Sequence, residues 1–182
     1  MRIVPTAIPE VLAIEPAIYR DERGYFLQTW HRNEYGSAGI PTEFVQDSVS
    51  RSVRGVLRGL HFQNPNAQGK IVTATAGAVF DVVVDVRRGS PTFGKWVEKE
   101  LSSDNRVQLW IPPGFAHGFC VLSESADLSY KFTAHYDPAG ERCIRWDDPE
   151  LGIAWPVADP IVSPKDRESP RLRDCQHLPE WS

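Results

Sequence analysis

Fifteen prolines and 13 glycines interrupt this 182-residue chain at short intervals, and the segments between them are rich in Val, Ile, Phe, Tyr and Trp. Long helices do not survive such punctuation, whereas short β-strands joined by turns need it. The strongest segment is 79–87, where Val82, Val84 and Val86 fall on one face by period two, and Asp81, Val83 and Asp85 fall on the other. Further strand candidates are 11–14, 25–30, 43–46, 56–63, 71–75, 96–101, 107–111, 118–122, 128–133 and 143–146. Turn chemistry separates them, as at Asp21-Glu22-Arg23-Gly24 and Pro112-Pro113-Gly114. This count predicts an all-β, two-sheet jelly roll with only short peripheral helices, one of them around 33–38. A hydrophobic fraction of 41% over this length is enough for one core, so residues 1–182 are expected to form a single domain.

A net charge of −4 argues against a nucleic-acid partner, since phosphate backbones are bound through an excess of Lys and Arg. It leaves room for a small anionic ligand held by a local basic cluster. No run approaches the ~20 apolar residues of a membrane span, and the amino terminus lacks a signal-like apolar stretch. Cys120, Cys143 and Cys175 are odd in number and lack metal or redox spacing. The expectation is a protein of the reducing cytoplasm with no membrane partner.

Chemistry concentrates in Arg54-Gly55-Val56-Leu57-Arg58-Gly59-Leu60-His61-Phe62-Gln63, which sets a histidine and two arginines in an otherwise apolar strand. Strand parity puts Arg58 and His61 on opposite faces, and a bulge at Gly55 or Gly59 would reunite them. A solitary strand histidine is more often a hydrogen-bonded core residue than a catalyst. The balance shifts because Gln68-Gly69-Lys70 and Ala116-His117-Gly118-Phe119 supply a cation and a second imidazole that could line the same inter-sheet cavity. Metal binding is not expected: a jelly-roll metal site draws on an H-x-H pair, and Phe62 and Gln63 follow His61 here, while His31 and His177 stand apart from other donors.

These words occur with Phe44-Val45-Gln46-Asp47, Val84-Asp85-Val86-Arg87, Ser90-Pro91-Thr92-Phe93-Gly94, Tyr130-Lys131 and Trp146-Asp147-Asp148-Pro149. In that order they resemble the dTDP-4-dehydrorhamnose 3,5-epimerases from about residue 15 to residue 166. The resemblance implies a cupin-type jelly roll (double-stranded β-helix) that uses no metal or other cofactor. It implies a nucleotide-sugar substrate whose C3 and C5 protons are acidified by the C4 ketone between them. An alternative within the same chemistry is an enzyme that inverts only C3 or only C5.

The resemblance assigns His61 as base, Asp166 as its carboxylate partner, Lys70 beside the developing enolate oxygen, and Tyr130 as acid. Tyr136 is a second phenol for that role, six residues on and of matching strand parity. Substrate contacts are implied for Arg23, Phe26, Gln28, Gln46, Asp47, Ser48, Arg58, His117, Glu141 and Lys165. Arg58 suits pyrophosphate, because its planar fork matches phosphate oxygens. A homodimer with an exchanged N-terminal strand is also implied, so Arg23 and Gln28 would serve a partner's site. Gln28 stands where the family usually has Glu, and Ser48 where Asn is common, which bears on recognition of the base more than on proton transfer.

Overall fold

The computed structural model describes residues 1–181 of the chain. In chain order its strands are β1 (Arg2–Pro5), β2 (Leu12–Glu15), β3 (Ile18–Asp21), β4 (Gly24–Leu27), β5 (Gln46–Val53), β6 (Leu57–Gln63), β7 (Lys70–Ala76) and β8 (Ala78–Asp85). They continue as β9 (Trp96–Ser102), β10 (Gln108–Ile111), β11 (Phe115–Val121), β12 (Ser125–Phe132) and β13 (Glu141–Cys143). The helices are short: α1 (Arg32–Ser37), α2 (Pro164–Glu168) and a 3₁₀ turn at Leu172–Asp174.

Two antiparallel sheets form, one of six strands ordered β1-β2-β10-β7-β12-β5 and one of five ordered β13-β6-β11-β8-β9. Their inner faces meet in a core where Val72, Leu109, Ile111 and Leu128 of the first pack on Val79, Val83, Leu101, Phe115 and Phe119 of the second. Face-to-face burial of alternate residues is what the period-two pattern requires. The result is the cupin-type jelly roll.

Strand β8 is buried on both faces. Val82, Val84 and Val86 turn outward, where Leu151, Leu172 and Leu178 of the C-terminal segment cover them. On the inner side Asp81 and Asp85 are each 0% exposed. Asp85 is fully occupied: Arg87, Ser90 and Thr92 all donate to its carboxylate, which pins the turn into β9. On the outer face of the six-stranded sheet, Tyr35, Ile40, Trp30 and Phe44 pack on Ile14, Ile71 and Trp110. His31 caps α1, accepting the Glu34 N–H at 3.4 Å.

The structure departs from the sequence expectations at several strands. β1 and β3 were not anticipated, and the strand expected at 43–46 runs instead from Gln46 to Val53. Its inward row is Gln46, Ser48, Ser50 and Ser52, so it carries no hydrophobic alternation to read. The segment expected at 143–146 pairs as Glu141–Cys143. The hairpin β3–β4 joins neither sheet, and Tyr19 (62%) and Phe26 (65%) on it are exposed.

Candidate active site

The site begins with an irregularity in β6. His117 of β11 pairs with His61, but Phe119 pairs with Arg58, so Gly59 and Leu60 together face the single residue Gly118. An extra residue in one strand is a bulge, and it shifts the parity of everything beyond it. Arg58 and His61 therefore line one cavity despite their odd spacing. Of the two glycines the sequence offered, Gly59 makes the bulge, and Arg54 stays exposed outside the cavity.

Both glycines at the bulge are required by space. A Cβ on Gly59, whose φ is +143°, would lie 2.6 Å from the Gly118 Cα, and one on Gly118 would lie 2.8 Å from the Arg58 carbonyl oxygen. Gly118→Ala is expected to destabilise the fold by about 1–3 kcal/mol, as overpacking against backbone does. A urea midpoint equal to that of the parent protein would refute this.

The cavity, about 340 Å³, opens between the sheets. The five-stranded sheet contributes Arg58 and His61 from β6, His117 from β11 and Glu141 from β13. Facing them from the six-stranded sheet are Ser48 and Ser50 of β5, Lys70 of β7 and Tyr130 of β12. His61 Nε2 bonds Asp166 Oδ1 at 2.6 Å, and the second Asp166 oxygen accepts the Gly59 N–H at 3.4 Å. Asp166 is placed by α2, whose N-cap Ser163 Oγ accepts the Asp166 N–H. Burial works to raise the Asp166 carboxyl, but its hydrogen bond and charge interaction with His61 hold it below the usual range. A carboxylate on Nε2 fixes the imidazole as its Nε2–H tautomer and leaves Nδ1 basic.

Lys70 is 8% exposed and lines the cavity. Burial lowers its pKa to about 8, against an opposing pull from the Asp81 carboxylate. His117 Nε2 bonds Asp81 Oδ2 at 2.8 Å, and burial pushes the His117 imidazole down, toward its neutral form. Asp81 was not singled out as a site residue; its signal was a carboxylate on the inward face of a valine strand.

The two phenols differ. Tyr130 lies in the cavity wall, stacked on Phe132 at 5.7 Å, edge-on to His117 at 6.3 Å, with its hydroxyl 3.2 Å from Ser50 Oγ. Burial raises its pKa. Tyr136 lies beyond the end of β12, so the parity expected of it does not apply. It sits at the cavity rim, 52% exposed, donating to Glu141 Oε2 at 3.0 Å. Lys165 pairs with the same Glu141 oxygen at 2.5 Å.

Gln46 braces this rim, accepting the Tyr136 N–H at 2.9 Å and donating to Ser48 Oγ at 3.3 Å. Asp47 points the other way and pairs with Lys131 at 2.9 Å. Arg23 and Phe26 lie on the β3–β4 hairpin, with Gln28 just after it, and none of the three lines the cavity. Arg23 is paired with Asp21 beside a separate surface depression that Phe26 also lines. Among the described residues the one grouping of metal-type donors is His61, Cys143 and Asp166, within 4.8 Å of one another. Two of these, His61 and Asp166, are bonded together, and burial lifts the Cys143 thiol to about 12.

A carboxylate-held imidazole, a buried ammonium and a phenol around one jelly-roll cavity define a cupin-fold isomerase equipped to move protons beside a carbonyl. The profile of the dTDP-4-dehydrorhamnose 3,5-epimerase family matches residues 5–174. The chain is 53% identical over 181 residues to the dTDP-4-dehydrorhamnose 3,5-epimerase of Pseudomonas aeruginosa, covering 98% of this chain and 100% of that one. It is 43% identical over 187 residues to a dTDP-4-dehydrorhamnose 3-epimerase of Streptomyces niveus, covering 100% and 90%. Its fold superposes with a TM-score of 0.96 on the crystal structure of dTDP-6-deoxy-D-glucose-3,5-epimerase from Legionella pneumophila in complex with dTDP-4-keto-L-rhamnose. That match has 50% identity and covers 100% of this chain and 98% of that one. The chain belongs to the dTDP-4-dehydrorhamnose 3,5-epimerase family.

Proposed function

We propose that this protein inverts C3 and C5 of dTDP-4-dehydro-6-deoxyglucose, yielding dTDP-4-dehydrorhamnose. The observation that carries the reading is the placement of His61 and Tyr130 on opposite sheets across one cavity. Inversion needs a proton taken from one face of a carbon and another returned to the opposite face. His61 Nδ1 takes the proton next to the ketone, Asp166 stabilises the imidazolium formed, and the Lys70 ammonium faces the enolate oxygen. Tyr130 returns a proton from the other side, while the rim position of Tyr136 suits substrate contact. Arg58, exposed and lining the cavity, suits the pyrophosphate.

A homodimer supports the remaining contacts. The β3–β4 hairpin is unpaired and carries Arg23 and Phe26 away from its own cavity, and an isolated two-stranded hairpin is marginal in water. Seating it beside a partner's cavity would bring Arg23, Phe26 and Gln28 to a nucleotide. Three free, buried cysteines fit a cytoplasmic setting. No helix is long and apolar enough to cross a membrane.

Inversion at C3 alone is the second reading, favoured by the similarity to the Streptomyces niveus 3-epimerase. Incubation with dTDP-4-keto-6-deoxyglucose in deuterated water decides between them: deuterium at both carbons with inversion supports the first reading, and label at C3 alone supports the second. Absence of label from both carbons refutes epimerisation. The rate should also fall on the alkaline side. Lys70 acts as a cation, and the cation is lost as pH rises through about 8. A kcat flat from pH 7 to beyond 9 would remove Lys70 from the mechanism.

A further inference from the structure

Asp81 lies behind the cavity wall with none of its surface exposed. Its Oδ2 bonds His117 Nε2, while its Oδ1 is buried and has no hydrogen-bond partner among the described residues. Burying a carboxylate half-satisfied is unfavourable, and the neighbouring inward residue Val83 shows what packing alone would select. Asp85, equally buried on the same strand, shows the contrasting case, with both oxygens accepting from side chains that fasten a turn. Asp81 has instead one imidazole and the field of one ammonium, both belonging to cavity-lining residues.

We infer that Asp81 is a positioning residue for the reaction: it fixes His117 as an imidazole whose free Nδ1 serves the substrate, and its charge keeps Lys70 an ammonium. This rests on the proton-transfer reading above. With Nε2–H committed to Asp81, Nδ1 of His117 is an acceptor, suited to a sugar hydroxyl and unsuited to a phosphate oxygen.

The electrostatic half follows from what surrounds Lys70. His117 on β11, His61 and Arg58 on β6, and Tyr130 on β12 line the cavity it enters from β7, and Asp81 on β8 lies behind that wall. Among these Asp81 is the carboxylate that favours the ammonium. Asp166 is bonded to His61 and Glu141 to Lys165. Without Asp81, burial would drive Lys70 toward its neutral amine with the opposing carboxylate charge removed.

The test is the pH–rate profile of Asp81→Asn, a substitution of nearly equal size, measured beside the parent protein. The alkaline limb of kcat should move acidward by about one pH unit or more, with turnover recovering as pH is lowered. An unmoved limb in a folded Asp81→Asn protein overturns the inference. A parent protein that fails to epimerise fails the proposed function instead, so the two failures are distinguishable. If the variant does not fold, ¹⁵N spectra of the parent His117 ring serve in its place. A neutral ring protonated on Nε2 at pH 7 is expected. A ring protonated on Nδ1, or doubly protonated, overturns the inference.

Discussion

His61→Ala is expected to lower kcat by ~10²–10⁴, the range typical of losing a positioned general base, while leaving the protein folded. The ring is partly exposed to the cavity and contributes little to the cores on either side, so the loss should be chemical rather than structural. Asp166, 3% exposed in the parent protein, would keep the Gly59 N–H at 3.4 Å and lose its imidazole partner. A modest fall in stability should therefore accompany the loss of rate. Single-turnover measurement with folding checked by circular dichroism distinguishes the two, and a folded His61→Ala protein turning over like the parent would end the proposed mechanism. Asp166→Asn should reproduce part of the defect by losing the carboxylate that selects the tautomer.

Tyr130→Phe is expected to separate two events that normally run together. His61 would still remove a proton and return one on its own face, so substrate hydrogen would exchange with deuterated solvent. Inversion would drop by ~10²-fold or more for want of a donor on the opposite face. The same substitution at Tyr136, whose hydroxyl is held by Glu141 at the rim, should weaken binding and leave the ratio of exchange to inversion unchanged. If Tyr136→Phe gives rapid exchange without inversion while Tyr130→Phe inverts normally, the acid has been assigned to the wrong phenol.

How far the sequence carried the interpretation depends on what kind of pattern each residue makes. The valine run of β8 and the Pro/Gly punctuation announced a jelly roll, because burial on alternate faces leaves a period that can be read directly. β5 was invisible for the opposite reason: its inward residues face a polar cavity, and a row of serines looks like loop. The bulge at Gly59 could be suspected from parity but not chosen over Gly55, since the choice depends on Gly118 approaching from another strand. Asp166 lies 105 residues from His61, and only the family resemblance joined them before the fold did. Asp81 and Asp85 are alike in sequence, two acids in one apolar strand. Their different partners follow from which elements pack above them, and that information lies in β11 and in the turn before β9 rather than in β8.

The division of the proposed base, His61, and the proposed acid, Tyr130, between two sheets makes the core a spacer. Stacked sheets stand ~10 Å apart, and that thickness is set by how Val72, Leu128, Val83 and Phe119 interlock, none of which need touch a sugar. Base and acid must both reach one small ring, and small misplacements of reacting groups cost rate steeply. Side chains of this interior therefore act as shims as well as ballast. Trimming one by a methylene alters the gap that a proton donor has to bridge, so turnover should respond to interior volume even where the melting temperature barely moves.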